Sequence, residues 1–166
     1  MVRIGQVGTI VIFALATSCN QREAECSALV RPMQSLGKKL AAAQSVAGKE
    51  HANTEQMASA LRALAKEASN SAKTLDETTF TSEELSRIAS DASSASLSLA
   101  EAAVHMAIAA ERMKGTDSAR NATKTIGSLA DAAASAKELT NATQKLSAPI
   151  ESLNTAMTTA QHLCKK

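Results

Sequence analysis

The 166-residue chain predicts an all-α fold, an antiparallel helical bundle, on three observations. Helix breakers are scarce, with six Gly and two Pro. Runs of β-branched residues are short. Apolar and small residues recur at alternating spacings of three and four, the pattern of helices that bury one face against partner helices.

Each element has its own run. The first carries Cys26, Leu29, Met33, Leu36, Leu40, Ala43 and Ala47, and the second Met57, Leu61, Leu64, Ala68, Ser71 and Leu75. The third carries Leu85, Ile88, Ala92, Ala95, Leu99, Ala102, Met106, Ala109 and Met113. A less regular fourth runs from Ala122 and Ile126 through Leu146, Ile150, Leu153 and Met157 to Cys164.

Breaks come with physical signals. Gly48 can adopt the left-handed conformation that ends a helix. Asn53 with Gln56, and Thr81 with Glu84, fit capping pairs in which a side-chain oxygen accepts from an exposed backbone N–H. Gly115 is expected to end the third helix, with Asp117 capping the fourth. Four helices are favoured. The spacing also runs on through Glu50 and Thr54 without a phase slip, so residues 21–77 as one helix, giving three in all, is the alternative. A proline inside a helix loses a hydrogen bond and clashes with the preceding turn. Pro32 therefore kinks the first helix or stands near its start. Ser147, Ala148 and Pro149 read as a break, with Ser147 capping a last segment that turns back across the bundle end.

Composition excludes several classes of function. Lys and Arg number 18 against 16 Asp and Glu, with the signs interspersed, so the surface is a solvated helical one without a basic stripe. There is no Trp and no Tyr, and of the two Phe only Phe80 lies beyond the N-terminal apolar segment. Single-strand nucleic-acid binders need aromatic stacking platforms, so no nucleic-acid partner is expected. An aromatic sugar-binding face is excluded on the same ground.

The N-terminus carries the most specific signal. Arg3 precedes an apolar run over residues 7–16, followed by Thr17, Ser18 and Cys19. A membrane-spanning helix needs about twenty apolar residues, and this run is far shorter. A short basic head, a brief apolar core and small residues before a cysteine resemble the signal peptide of a bacterial lipoprotein. The resemblance covers residues 1–19 only, and it departs from the common pattern in having Ala16 where Leu is more usual. It implies that residues 1–18 are removed and that Cys19 is lipidated. The protein would then sit in the bacterial cell envelope, anchored to a membrane outside the cytoplasm. Ala14, Leu15 and Ala16 also form a site for ordinary secretory cleavage, which would leave a secreted or periplasmic product.

The chain has three cysteines. With lipid on Cys19, Cys26 and Cys164 remain and can pair in an oxidising compartment. They stand near the two ends of the helical region, and an antiparallel four-helix path returns its termini to one end. The expected organisation is a tether over residues 19–25 and a bundle over residues 26–164, closed by a Cys26–Cys164 disulfide. A three-helix path would send the two cysteines apart.

No catalytic, cofactor-binding or metal site is expected. Glu101 and His105 lie one turn apart, but the Glu-x-x-His pattern of di-iron bundles is missing at His51, His105 and His162. His162 and Cys164 are two ligands, too few for a closed zinc site. No nucleophile elbow or phosphate-cradling loop occurs. The expected function is therefore that of a structural or protein-interaction module whose polar helix faces dock a protein partner. The alternative is a small-ligand-binding or sensor module. Docking predicts an exposed apolar patch on one helix face, and ligand binding predicts an enclosed cavity.

Overall fold

A computed structural model describes residues 7–47, 53–120 and 126–165. Side chains are described over residues 20–47, 53–113 and 140–165, and at positions 134, 137 and 138. The protein is an all-α bundle of four helices: α1 (Val7–Ala47), α2 (Thr54–Glu77), α3 (Glu83–Arg120) and α4 (Ile126–Cys164). The one-helix alternative for residues 21–77 is excluded, because α1 ends at Ala47 and α2 begins at Thr54. Gly48 itself lies outside the described residues.

Hydrogen bonds between helices give the topology. Ser71 Oγ donates to the Pro32 carbonyl at 3.1 Å, and Ser35 Oγ donates to Glu67, so α1 and α2 run in opposite directions. Ser93 Oγ donates to the Ala72 carbonyl at 3.3 Å, and Arg62 pairs with Glu111 at 2.7 Å, which reverses α3 against α2. Arg112 pairs with Glu138 at 2.8 Å between α3 and α4. The path is up, down, up, down. It returns the end of α4 to the level of Cys26 and of the α2–α3 connection.

Local chemistry sets the helix starts. At α2 the Gln56 N–H donates to Asn53 Oδ1 at 2.7 Å, and the Met57 N–H to the Asn53 carbonyl at 3.1 Å, the expected cap. At α3 the cap is one residue later than expected. Ser82 Oγ accepts from the Leu85 N–H at 3.4 Å, and the Ser82 carbonyl accepts from the Ser86 N–H at 2.9 Å. Thr81 is occupied elsewhere, by Glu25.

Pro32 lies well inside α1, so the helix does not start near it. Two expected breaks do not occur: α3 passes Gly115 and Asp117 to reach Arg120, and α4 passes Pro149 without turning back. A mid-helix Gly costs about 1 kcal/mol and a mid-helix Pro about 3 kcal/mol. Burial beside the two prolines outweighs the proline penalty. Leu29 and Met33 flank Pro32, and Leu153, Ala156 and Ala160 follow Pro149, all in the core. Ser147 donates to the Gln144 carbonyl inside α4 at 2.9 Å and caps nothing.

The core gathers Leu29, Met33 and Leu36 of α1, Leu64 and Leu75 of α2, Leu85, Ile88 and Leu99 of α3, and Leu153 of α4. Phe80, in the α2–α3 connection, packs against it. Beyond Leu36, α1 contributes only partly buried side chains such as Leu40 and Ala43. Leu40 is thus less central than its spacing implies, and the Ile126 side chain lies outside the described residues. Along α3 beyond Leu99 the buried side chains among the described residues are all alanine: Ala102, Ala103, Ala107, Ala109 and Ala110. Among the described residues every buried side-chain nitrogen or oxygen has a partner. No helix of the described residues is long and apolar enough to cross a membrane.

Candidate functional site

The end of the bundle that holds the α2–α3 connection is tied three times. Cys26 of α1 and Cys164 at the end of α4 are joined, their Cα atoms 5.7 Å apart, closing a sequence separation of 138. One turn before Cys26, Arg22 Nη2 donates to the Leu163 carbonyl at 3.1 Å. A helix C-terminus leaves such carbonyls without intrahelical partners, and a cation there also meets the negative end of the helix dipole. Between these two, Glu25 accepts from the Thr81 hydroxyl at 2.7 Å and from the Thr81 N–H at 3.1 Å.

Glu25 is the functional-type residue that the periodicity does not reveal. It precedes the first seam residue, Cys26, and is buried at 8 % exposure. Its partner lies 56 positions away. The Thr81 hydroxyl bond holds its carboxyl below the ordinary carboxylate value, against the opposing effect of burial, with backbone and Gln21 hydrogen bonds adding to the lowering. The charge also faces the N-terminus of α3, where an anion is favoured. Residues 20–25 belong to α1, so packing extends upstream of Cys26 into the segment expected to be a tether. The Cys19 side chain lies outside the described residues.

The candidate metal residues do not converge. Glu101 and His105 are 3.8 Å apart on the outside of α3, with side chains 77 % and 66 % exposed. His162 is exposed on α4, and His51 lies outside the described residues. Among the described residues no three His, Cys, Asp or Glu side chains could hold one ion.

The outer face of α3 carries a different kind of feature. Leu97, Val104 and Ile108 are 51 %, 44 % and 38 % exposed and are the exposed large apolar side chains among the described residues. Glu101, also exposed, lies between them on this face, while Ser94 lines the groove toward α4 and Glu111 pairs with Arg62 of α2. Nearer the connection the same face carries Ser86 and Ser90 instead. The seam reading passed over this stripe because one dominant spacing was assigned to α3, and that spacing is the inward one. A second three–four ladder over Leu97, Val104 and Ile108 was the available signal.

The grooves described open to solvent and do not form enclosed chambers. One of about 800 Å³ runs between α3 and α4, with Arg87, Asp91, Ser98, Glu151 and Thr155 on its walls. Another of about 410 Å³ lies at the tied end beside Arg22, Glu25 and Ser82. The first is also lined by Ile88, Ala95, Pro149 and Ala156, so its walls mix apolar and polar groups, and neither groove is closed over as a small-molecule pocket usually is. The chain matches no family model, no curated protein and no solved structure.

Proposed function

We propose that this protein is an envelope-anchored helical bundle that acts as a structural or protein-interaction module. Lipid on Cys19 holds the tied end near the membrane, and the outer face of α3 docks a protein partner. The stripe of Leu97, Val104 and Ile108 carries the docking reading: large apolar side chains kept in water along one helix face mark an interaction surface. The anchoring reading rests on the lipoprotein-like residues 1–19. It agrees with a disulfide-permissive compartment for Cys26 and Cys164. The described grooves are open and would enclose a small ligand poorly, so the interaction reading is preferred to a ligand-binding one.

Two measurements test it. Intact-mass analysis of protein from the native host is expected to give a lipidated product that starts at Cys19. A soluble product starting at Thr17 overturns the anchor. Complexes captured from the native envelope are expected to be lost when Leu97, Val104 and Ile108 are all changed to Lys. Complexes that survive that change overturn docking through α3.

A further inference from the structure

Residues 20–25, expected to form a tether, are helical and packed. Gln21 hydrogen-bonds Glu25, Arg22 donates to the Leu163 carbonyl, and Glu25 accepts from Thr81. The backbone of Cys19 belongs to the same helix, less than one turn before Arg22. A lipid on Cys19 is therefore coupled to the bundle with no flexible chain between them.

The charge of α1 is one-sided. From Ala24 to Ala47 its exposed charged side chains are Arg31, Lys38 and Lys39, and none of them is in an ion pair with a described residue. The carboxylate of that span, Glu25, is buried. Arg31 and Lys38 lie two turns apart, in line with Ala24 and Ala42, on the face turned away from Leu29, Met33 and Leu36. The exposed side of α3 is different: it carries Glu83, Glu84, Asp91 and Glu101 beside Arg87. Bonds join α1 to α2, α2 to α3 and α3 to α4, and the disulfide joins α4 to α1, so α1 and α3 stand diagonally across the bundle.

We propose that α1 lies along an anionic phospholipid surface, with Arg31, Lys38 and Lys39 on the headgroups and the outer face of α3 turned away from the membrane; this rests on the lipid anchor at Cys19 proposed above. Three cations are too few to hold a protein on a bilayer by themselves, and beside an anchor they need only orient it. Their attraction fades beyond about 8 Å at physiological salt. A flexible tether would let the strip leave that layer, and the direct link keeps it there. The competing seat is upright, on the tied end. There Glu77, Glu83 and Glu84 stand among Arg22, Lys73 and Lys165, so an anionic surface meets no net attraction. Lying on α1 also leaves Leu97, Val104 and Ile108 facing the space from which a partner protein arrives.

The test uses the full lipidated chain in vesicles of phosphatidylglycerol and phosphatidylethanolamine, with an energy-acceptor dye on the lipid headgroups. A donor dye is placed at Ala42→Cys in one variant and at Ser90→Cys in another. Cys26 and Cys164 are bridged and Cys19 is acylated, so the new thiol alone reacts. Ala42 stands on the cationic strip, about 35 Å along α1 from Cys19, and Ser90 on the outer face of α3 toward the tied end. The dye at 42 is expected to transfer several-fold more energy than the dye at 90. Changing Arg31, Lys38 and Lys39 to Gln is expected to remove that excess, as are vesicles of phosphatidylcholine alone, with helix content by circular dichroism unchanged. Stronger transfer from position 90 overturns the proposal in favour of an upright bundle. Equal transfer overturns it in favour of a freely hinged one. An excess that survives the Gln changes overturns the attraction to headgroups. Intact mass read on the same preparation keeps the two readings apart: a chain without lipid overturns the anchor and this orientation with it, whereas a lipidated chain with the wrong ranking overturns the orientation alone.

Discussion

The two ends of α3 solve the same packing problem in opposite ways. Near the α2–α3 connection, large side chains point inward: Leu85, Ile88 and Leu99 meet Leu75, Leu29 and Leu153, and the outer face is Ser86 and Ser90. Beyond Leu99 the inward positions are Ala102, Ala103, Ala107, Ala109 and Ala110, and the large apolar residues Val104 and Ile108 stand outside. Alanine brings helix axes close and buries little area per residue, whereas leucine buries roughly 1.5–3 kcal/mol of apolar surface per side chain. One end is thus specified by core volume and cross-links, and the other by close approach. Leu61 and Leu64 of α2 are buried at the level of these alanines, while Val104 and Ile108 remain exposed on the outer face of α3.

That contrast breaks or sharpens at measurable points. The largest effect belongs to the tied end. Changing both Cys26 and Cys164 to Ser is expected to cost about 5 kcal/mol on the chain-entropy account, given the sequence separation of 138. Denaturant titration of the oxidised protein against the double variant measures it, and equal midpoints would contradict the role of the bridge in closing the bundle.

Next come paired substitutions in the interior. Leu29→Ala at the leucine-packed end is expected to cost about 2–5 kcal/mol, because it is fully buried and leaves a cavity. Ala107→Leu at the alanine-packed end is expected to cost about 1–3 kcal/mol by overpacking. If Ala107→Leu stabilises the protein in thermal melts, the distal helices are not in close contact and the contrast fails.

A smaller effect concerns Glu25. Its folded carboxyl titrates below the ordinary carboxylate value of 4.5, so folding is favoured by its ionised form. The contribution is fully present above that ordinary value and is lost as pH falls through the lower folded one. Glu25→Gln is expected to cost about 1 kcal/mol at neutral pH and to flatten the acid side of the stability profile. A parallel decline of both proteins in acid would remove Glu25 as the source.

The smallest effect is the most telling for function. Leu97→Ser on the outer face of α3 is expected to change stability by less than about 0.5 kcal/mol, since the side chain is half exposed and outside the core. A loss comparable to that of Leu29→Ala would mean that the stripe belongs to the fold and is not an interaction surface.

Much of the architecture was legible because its signals are local. The seam residues Leu29, Met33, Leu36, Leu64 and Leu75 are in the core, and Asn53 caps α2 as its spacing with Gln56 implies. The nearness of Cys26 to Cys164 follows from counting four antiparallel passes. The errors share one cause. Gly115, Ser147 and Pro149 carry backbone preferences worth a few kcal/mol at most, which decide a helix end only where packing is indifferent. In α4 packing is not indifferent beyond Pro149, and the helix runs through.

By itself the sequence determined helical periodicity and the α2 cap, because each depends on residues a few positions apart. It also carries the lipoprotein-like start, on which the anchoring proposal depends. Only the tertiary structure decided that Glu25 reaches Thr81, that Ser82 and not Thr81 caps α3, and which of two three–four ladders on α3 faces the core. Those outcomes depend on neighbours brought together from distant parts of the chain. A helix with apolar residues on both faces is locally consistent with either burial, and the alanines that flank α2 and α4 settle which face is turned to water.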